Sequence, residues 1–214
     1  MKNVRLFYKK GGRAKYISHL DMTRFMNRIV RRANLPLWYT EGFNPHPYMT
    51  FALPLSLGYT SDYEVVDIRL TDDTFNTNLI CDILNSFCPE YIRFFAAAEP
   101  IKKTADLCYA EFEIFIENAT SKDLRSFLNL GEIMVSKKTK KGNTKEFDVA
   151  PKIKEYAVYD AQNCALLKII LPAGSLENIN PELVLKAFFD QIGTQNYYEI
   201  KRVALLDDNF NLFE

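Results

Sequence analysis

Cysteine and histidine are scarce in this 214-residue chain, and no long apolar run occurs. The four cysteines, Cys81, Cys88, Cys108 and Cys164, stand at wide, irregular gaps that match no zinc or thioredoxin-like spacing. They are expected to be buried free thiols, since free cysteine packs as a small hydrophobe. Neither of the two histidines, His19 and His46, belongs to a ligand-spaced motif, so no metal or cofactor is expected. No apolar stretch reaches the roughly 18–20 residues that span a bilayer. The opening "MKNVRLFYKKGG" turns charged too soon for a signal peptide, and there is no lipidation motif. These absences point away from membranes and toward a soluble, cytoplasmic protein.

Hydrophobic residues make up 48% of the chain and aromatics 14%, enough for a packed core. The net charge is zero, but unevenly spread. Residues 1–58 hold ten Lys/Arg against two acids, residues 59–101 two against eight, and residues 102–214 fifteen against seventeen. A basic N-terminal segment inside a neutral chain suggests an anionic partner.

The pattern along the chain reads twice as strand and helix in the same order. "VRLFYKK" (4–10) alternates as a strand. "SHLD" (18–21) forms a capping box, with Ser18 placed to cap a helix and Asp21 to reach back. That helix runs to about Ala33, with Met22, Phe25, Met26, Ile29 and Ala33 on one face. "PLWYT" reads as a short strand, "YMTFALPLSLGY" (48–59) as extended chain, and "DYEVVDIRL" (62–70) as a strand. "TFNTNLICDILNSFC" (74–88) has helical periodicity, and "EYIRFFAAAEP" (90–100) reads as the closing strand. After 101–106 the order repeats: a strand at 107–117, a helix at 120–129, a Lys-rich strand–turn–strand, two more strands, a helix at 180–193 and a strand at 196–206. The expected fold is α+β, two tandem ferredoxin-like (βαββαβ) sandwiches, over residues 1–103 and 104–214.

Three features could carry function. Arg24, Arg28 and Arg31 share one face of the first helix, with Arg32 adjoining and no Glu four residues away to neutralise them. Guanidinium forks suit phosphate or carboxylate, although a solvated helix face explains the same pattern. Lys137, Lys138, Lys140 and Lys141 crowd the tip of an expected hairpin, where lysines follow a nucleic-acid backbone by charge. "EGFNPHP" (41–47) is stiffened by two prolines and loosened by Gly42, and it should hold Glu41, Phe43, Asn44 and His46 in set directions. Rings at positions 38, 39, 43, 48 and 51 could stack bases, or simply fill the core. His19 and His46 together could do acid–base chemistry if the fold brings them together.

The motifs "SHLD", "VRRANLP", "EGFNPHP" and "PLSLG", with the later "KKGNTKEFDVAPKI" and "LPAGSLENINPELVLKAF", strongly resemble a radical-SAM-linked bacterial family of unknown function. The resemblance covers nearly the whole chain; it departs at Ala150, where the family often has Arg. Members occur alone or as the C-terminal part of a radical SAM protein. This chain lacks the C-x-x-x-C-x-x-C that holds a radical SAM cluster. The resemblance therefore implies an accessory to a radical SAM protein, and the basic features add RNA as the substrate to be positioned. The alternatives are an RNA-processing enzyme using His19 and His46, or a protein-interaction scaffold. Pseudouridine synthases, which also use tandem ferredoxin-like units, need an Asp where this chain has "EGFNPHP"; that chemistry is not expected.

Overall fold

The computed structural model describes residues 1–138 and 144–214. The chain divides into two compact units, Met1–Leu107 with Leu212–Glu214, and Cys108–Asn211. Both are mixed α+β with antiparallel strand pairs.

The first unit contains β1 (Lys2–Lys10), α1 (His19–Arg32), β2 (Met49–Phe51), β3 (Thr60–Leu70), α2 (Ile80–Asn85) and β4 (Ile92–Ala98). β1 lies between β3 and β4, and β2 pairs with β3. The register sets Val4 opposite Ile68 and Leu6 opposite Val66. Because side chains alternate along a strand, Val4, Leu6 and Tyr8 face one way and pack with Met22, Met26 and Ile29 of α1 and Ile80 and Leu84 of α2.

The other face of β1 is buried too. Arg5 is fully enclosed, donating through Nε and Nη2 to Asp67 (2.8 Å each) and through Nη2 to the Lys102 carbonyl (3.0 Å). Its guanidinium lies 4.4 Å from the ring centroid of Phe213, itself fully buried. Tyr63 donates to the Phe213 carbonyl, and burial, with the nearby Glu214 charge, pushes its hydroxyl up to about 12. The last residues of the chain thus complete the first unit.

The second unit contains β5 (Tyr109–Glu117), α3 (Ser121–Leu128), β6 (Met134–Lys138), β7 (Thr144–Asp148), β8 (Glu155–Ala161), β9 (Cys164–Pro172), α4 (Pro181–Ile192) and β10 (Tyr198–Leu206). Its sheet order is β10-β5-β9-β8, with β6 and β7 as a separate pair. Phe112 and Ile114 of β5 pair with Ile169 and Leu167 of β9, and all four are buried. Phe127 of α3 and Phe188 of α4 meet with ring centroids 5.5 Å apart. Elsewhere on the sheet, Glu113 takes Lys201 at 2.7 Å and Lys168 at 2.9 Å.

Three expected elements are shorter than the pattern suggests. "PLWYT" makes only isolated bridges, Leu37 to Leu70 and Tyr39 to Pro47, since Pro47 has no N–H with which to extend a ladder. The extended run 48–59 forms a strand only over Met49–Phe51, before Pro54. The 74–88 helix shrinks to a 3-10 turn at Thr77–Leu79 followed by six residues of α2. Asp72 and Asn76 use their side chains on the local backbone there, which competes with helix.

Candidate functional site

Helix α1 starts where Ser18 accepts from the Asp21 amide (3.2 Å), and the Ser18 hydroxyl donates to the Asp21 carboxylate (2.7 Å). That bond, followed by the one from Arg24, holds Asp21 below its ordinary pKa. With Met22, Met26, Ile29 and Val30 turned into the core, the 3.6-residue period forces Arg24, Arg28, Arg31 and Arg32 outward, and all four are exposed. Arg24 reaches Asp21 at 3.1 Å. Arg31 lies over Tyr39 (5.9 Å) and Arg32 over Phe87 (5.4 Å). Among the described residues no carboxylate pairs with Arg28, Arg31 or Arg32. Arg31 and Arg32 have a local reason to be cationic, since they offset the negative end of the helix dipole. Arg28, in mid-helix, has none.

Residues 38–48 fold back as a narrow hairpin-like loop beside the end of α1. The Tyr48 amide donates to Trp38 (2.9 Å), the Thr40 amide to His46 (2.9 Å), and the His46 amide to the Thr40 hydroxyl (3.3 Å). Gly42, at φ 133°, takes a conformation that side chains resist. Glu41, Phe43 and Asn44 project into solvent, and Phe43 is 106% exposed. The His46 Nδ1 lies 3.0 Å from the Asn44 carbonyl and 3.1 Å from the Thr40 hydroxyl. A carbonyl can only accept, so Nδ1 carries the proton in that bond and Nε2 of the neutral ring is left as an acceptor. At the base of the loop, Arg69 of β3 lies over both Trp38 (5.1 Å) and Tyr48 (4.6 Å) and donates to Asn3 (3.0 Å).

The profile of a family described as uncharacterized protein conserved in bacteria (DUF2344) matches residues 3–181. The chain belongs to DUF2344. That span takes in α1, the 38–48 loop and Arg69, so the whole cationic–aromatic surface of this DUF2344 chain lies inside the matched residues. No curated protein matches it. In structure it is similar to a chain of a Cbf5-Nop10-Gar1 complex, with a TM-score of 0.53 and 8% identity, over 94% of this chain and 48% of that one. It thus spans about half the length of that chain, and the likeness concerns the fold alone. A putative glycine cleavage system transcriptional repressor matches at 8% identity over 94% of this chain and 98% of that one; its TM-score of 0.27 supports no argument.

The remaining expected site residues of the DUF2344 chain lie elsewhere. His19 is exposed at the first turn of α1, edge-on to Phe51 at 5.0 Å. With Pro54, Leu55 and the buried Lys10 and Glu64 it lines a cleft of about 10 Å³, room for one water. No hydrogen bond or ring contact joins His19 to His46 among the described residues. Lys137 of β6 donates to the Asn178 carbonyl (3.1 Å). Lys138 follows it on β6, while Lys140 and Lys141 lie outside the described residues.

Among the described residues no group of three His, Cys, Asp or Glu could hold a metal, and no helix is long and apolar enough to cross a membrane. Burial pushes the Cys88 thiol up to about 11, which disfavours the thiolate. Two features escaped the sequence reading. One is the half-buried Arg69, whose only signal is a charged residue alternating with apolar Ile68 and Leu70 on a strand. The other is a groove of about 540 Å³ along α4, lined by Glu182, Lys186, Phe189, Asp190 and Tyr198, all beyond the matched residues.

Proposed function

We propose that this DUF2344 protein is a cytoplasmic, non-catalytic accessory that binds RNA through its first unit and positions it for a radical SAM enzyme carrying its own cluster. In this reading both units are ferredoxin-like sandwiches, divided near residues 101–106. Support for that arrangement comes from the strand orders β4-β1-β3, with β2 on β3, and β10-β5-β9-β8. The observation that carries the RNA reading is the set Arg28, Arg31 and Arg32, exposed on one helix without a carboxylate among the described residues. Two of the three guanidinium groups rest on aromatic rings, which limits their freedom before any ligand arrives. Phosphate is the anion that a row of guanidinium forks fits repeatedly along a chain.

The test is fluorescence anisotropy of a labelled tRNA transcript titrated at increasing KCl. Affinity should fall linearly on a log–log plot. The triple variant Arg28→Ala/Arg31→Ala/Arg32→Ala should reduce the slope by about two to three and weaken binding at least about tenfold at roughly 0.1 M salt. Absence of binding at low salt sinks the proposal. Cleavage of the transcript by the wild type would favour the histidine enzyme instead. Recovery of a protein partner that survives nuclease treatment, without RNA binding, would favour a scaffold.

A further inference from the structure

Five rings, Trp38, Tyr39, Phe43, Tyr48 and Phe51, stand near the arginine helix in sequence, and the structure separates them sharply. Trp38 and Tyr48 pack on one another at 5.6 Å and share Arg69. Tyr39 carries Arg31, and Phe51 carries the His19 edge. Phe43 is the exception among the described residues: it has neither a ring nor a cation against it, and it is fully exposed. A phenylalanine held entirely in water forgoes all its burial energy. Pro45, Pro47 and the paired Thr40–His46 bonds hold both arms of its loop, and the turn at Gly42 (φ 133°) carries the ring away from the fold. The ring is held out on a preordered mount, so little entropy is lost when something covers it.

We propose that the tip of this loop reads an unpaired RNA base, with Phe43 stacking on the base and His46 Nε2 accepting a hydrogen bond from its edge. This rests on the RNA reading above and adds its ligand class: single-stranded or bulged RNA rather than continuous duplex. In a duplex both faces of every base are covered by neighbours, so a protruding ring has nothing to stack on unless a base is splayed out. The surroundings favour a nucleotide over an apolar protein pocket. Arg31 on Tyr39 and Arg69 on Trp38 and Tyr48 place cations along the arms and base of the same loop, available to the phosphates that flank a stacked base. His46 has its Nδ1 committed to Asn44, which fixes the tautomer and leaves Nε2 for a base amino or imino group.

The experiment uses the full chain and two labelled probes, a 12-nucleotide single-stranded RNA and the 12-base-pair duplex containing it, followed by anisotropy over a salt series. Wild type should prefer the single strand. Phe43→Ala should weaken single-strand binding by about 5- to 100-fold, the range of one lost base stack, and leave duplex affinity within about twofold. Phe43→Trp should restore the preference, and 2-aminopurine in the single strand should be quenched by wild type and not by Phe43→Ala. His46→Ala should cost a further few-fold on the single strand. Since Phe43 is exposed, thermal melting of both Phe43 variants should coincide with wild type. If Phe43→Ala binds both probes as wild type does, the stacking proposal fails while the RNA reading stands. If wild type binds neither probe, both fail. If Phe43→Ala keeps its RNA affinity but loses a nuclease-resistant protein partner, the tip is a protein plug and the proposal is wrong.

Discussion

Helix α1 opens on Ser18 and α4 on Asn180, and each side chain accepts from an amide at the start of its helix. Each turns its apolar side inward, Met22, Met26 and Ile29 in one, Val184, Leu185 and Phe188 in the other. Their outer faces part company. On α4, Glu182, Lys186 and Asp190 follow at four-residue intervals with alternating sign, the arrangement that supports a solvated helix. On α1, Arg24, Arg28, Arg31 and Arg32 repeat one sign. The pairs Arg24–Arg28, Arg28–Arg31 and Arg28–Arg32 are each neighbours, and like-charge neighbours cost about 0.2–0.5 kcal/mol apiece. Asp21 and the helix dipole offset the charges at Arg24, Arg31 and Arg32, but all three pairs share Arg28, and its cost of roughly 1 kcal/mol has no such local offset. It is accounted for once an anion lies along that face.

The comparison can be broken first at the buried sides, where the helices should behave alike. Met26→Ala and Phe188→Ala should each lower unfolding free energy in urea by about 2–5 kcal/mol, without altering RNA affinity of the folded fraction. The outer faces should then behave oppositely. Arg28→Glu should weaken RNA binding about tenfold or more by placing a repelling charge among the phosphates. The same change should raise thermal stability by a few tenths of a kcal/mol, since a carboxylate four residues before Arg32 is favourable. Lys186→Glu should leave RNA affinity within about twofold and lower stability by up to about 0.5 kcal/mol. A variant that gains stability as it loses binding is the signature of a face shaped by its ligand.

Smaller effects are expected at the caps. Ser18→Ala and Asn180→Ala should each cost about 1 kcal/mol in thermal unfolding. The smallest effect is in pH. Asp21 is held below its ordinary value of 3.8, first by the Ser18 hydroxyl and then by Arg24, so its contribution is present above that value and disappears as pH falls through the lowered one. Asp21→Asn should flatten the acid side of a melting-temperature profile and leave it unchanged near neutrality.

Local pattern carried most of the element order. Both caps, the positive-φ Gly193 that ends α4, and the alternation of β3 and β5 are written in adjacent residues. The elements that came out short contain prolines or Asp and Asn side chains that bind their own backbone, and periodicity counts neither. The arginine face was legible because one helix carries it. The Arg69–Trp38–Tyr48 cluster was not, since strand and loop meet only after β3 has paired and the loop has closed. Which of five rings would remain bare could not be read from composition either. It depends on where Arg31, Arg69 and His19 settle.

The Phe213 clasp has a consequence for the order of synthesis. β1 is translated well before residues 108–211, yet the ring that lies on Arg5 belongs to residues 212–214, made after all of them. At about 5–20 residues per second, that intervening stretch takes roughly 5–20 s to translate. During this interval one side of β1 lacks its aromatic cover, and Tyr63 lacks the carbonyl it donates to. The segment bearing the arginine helix can therefore reach its finished form only after the second unit has been translated.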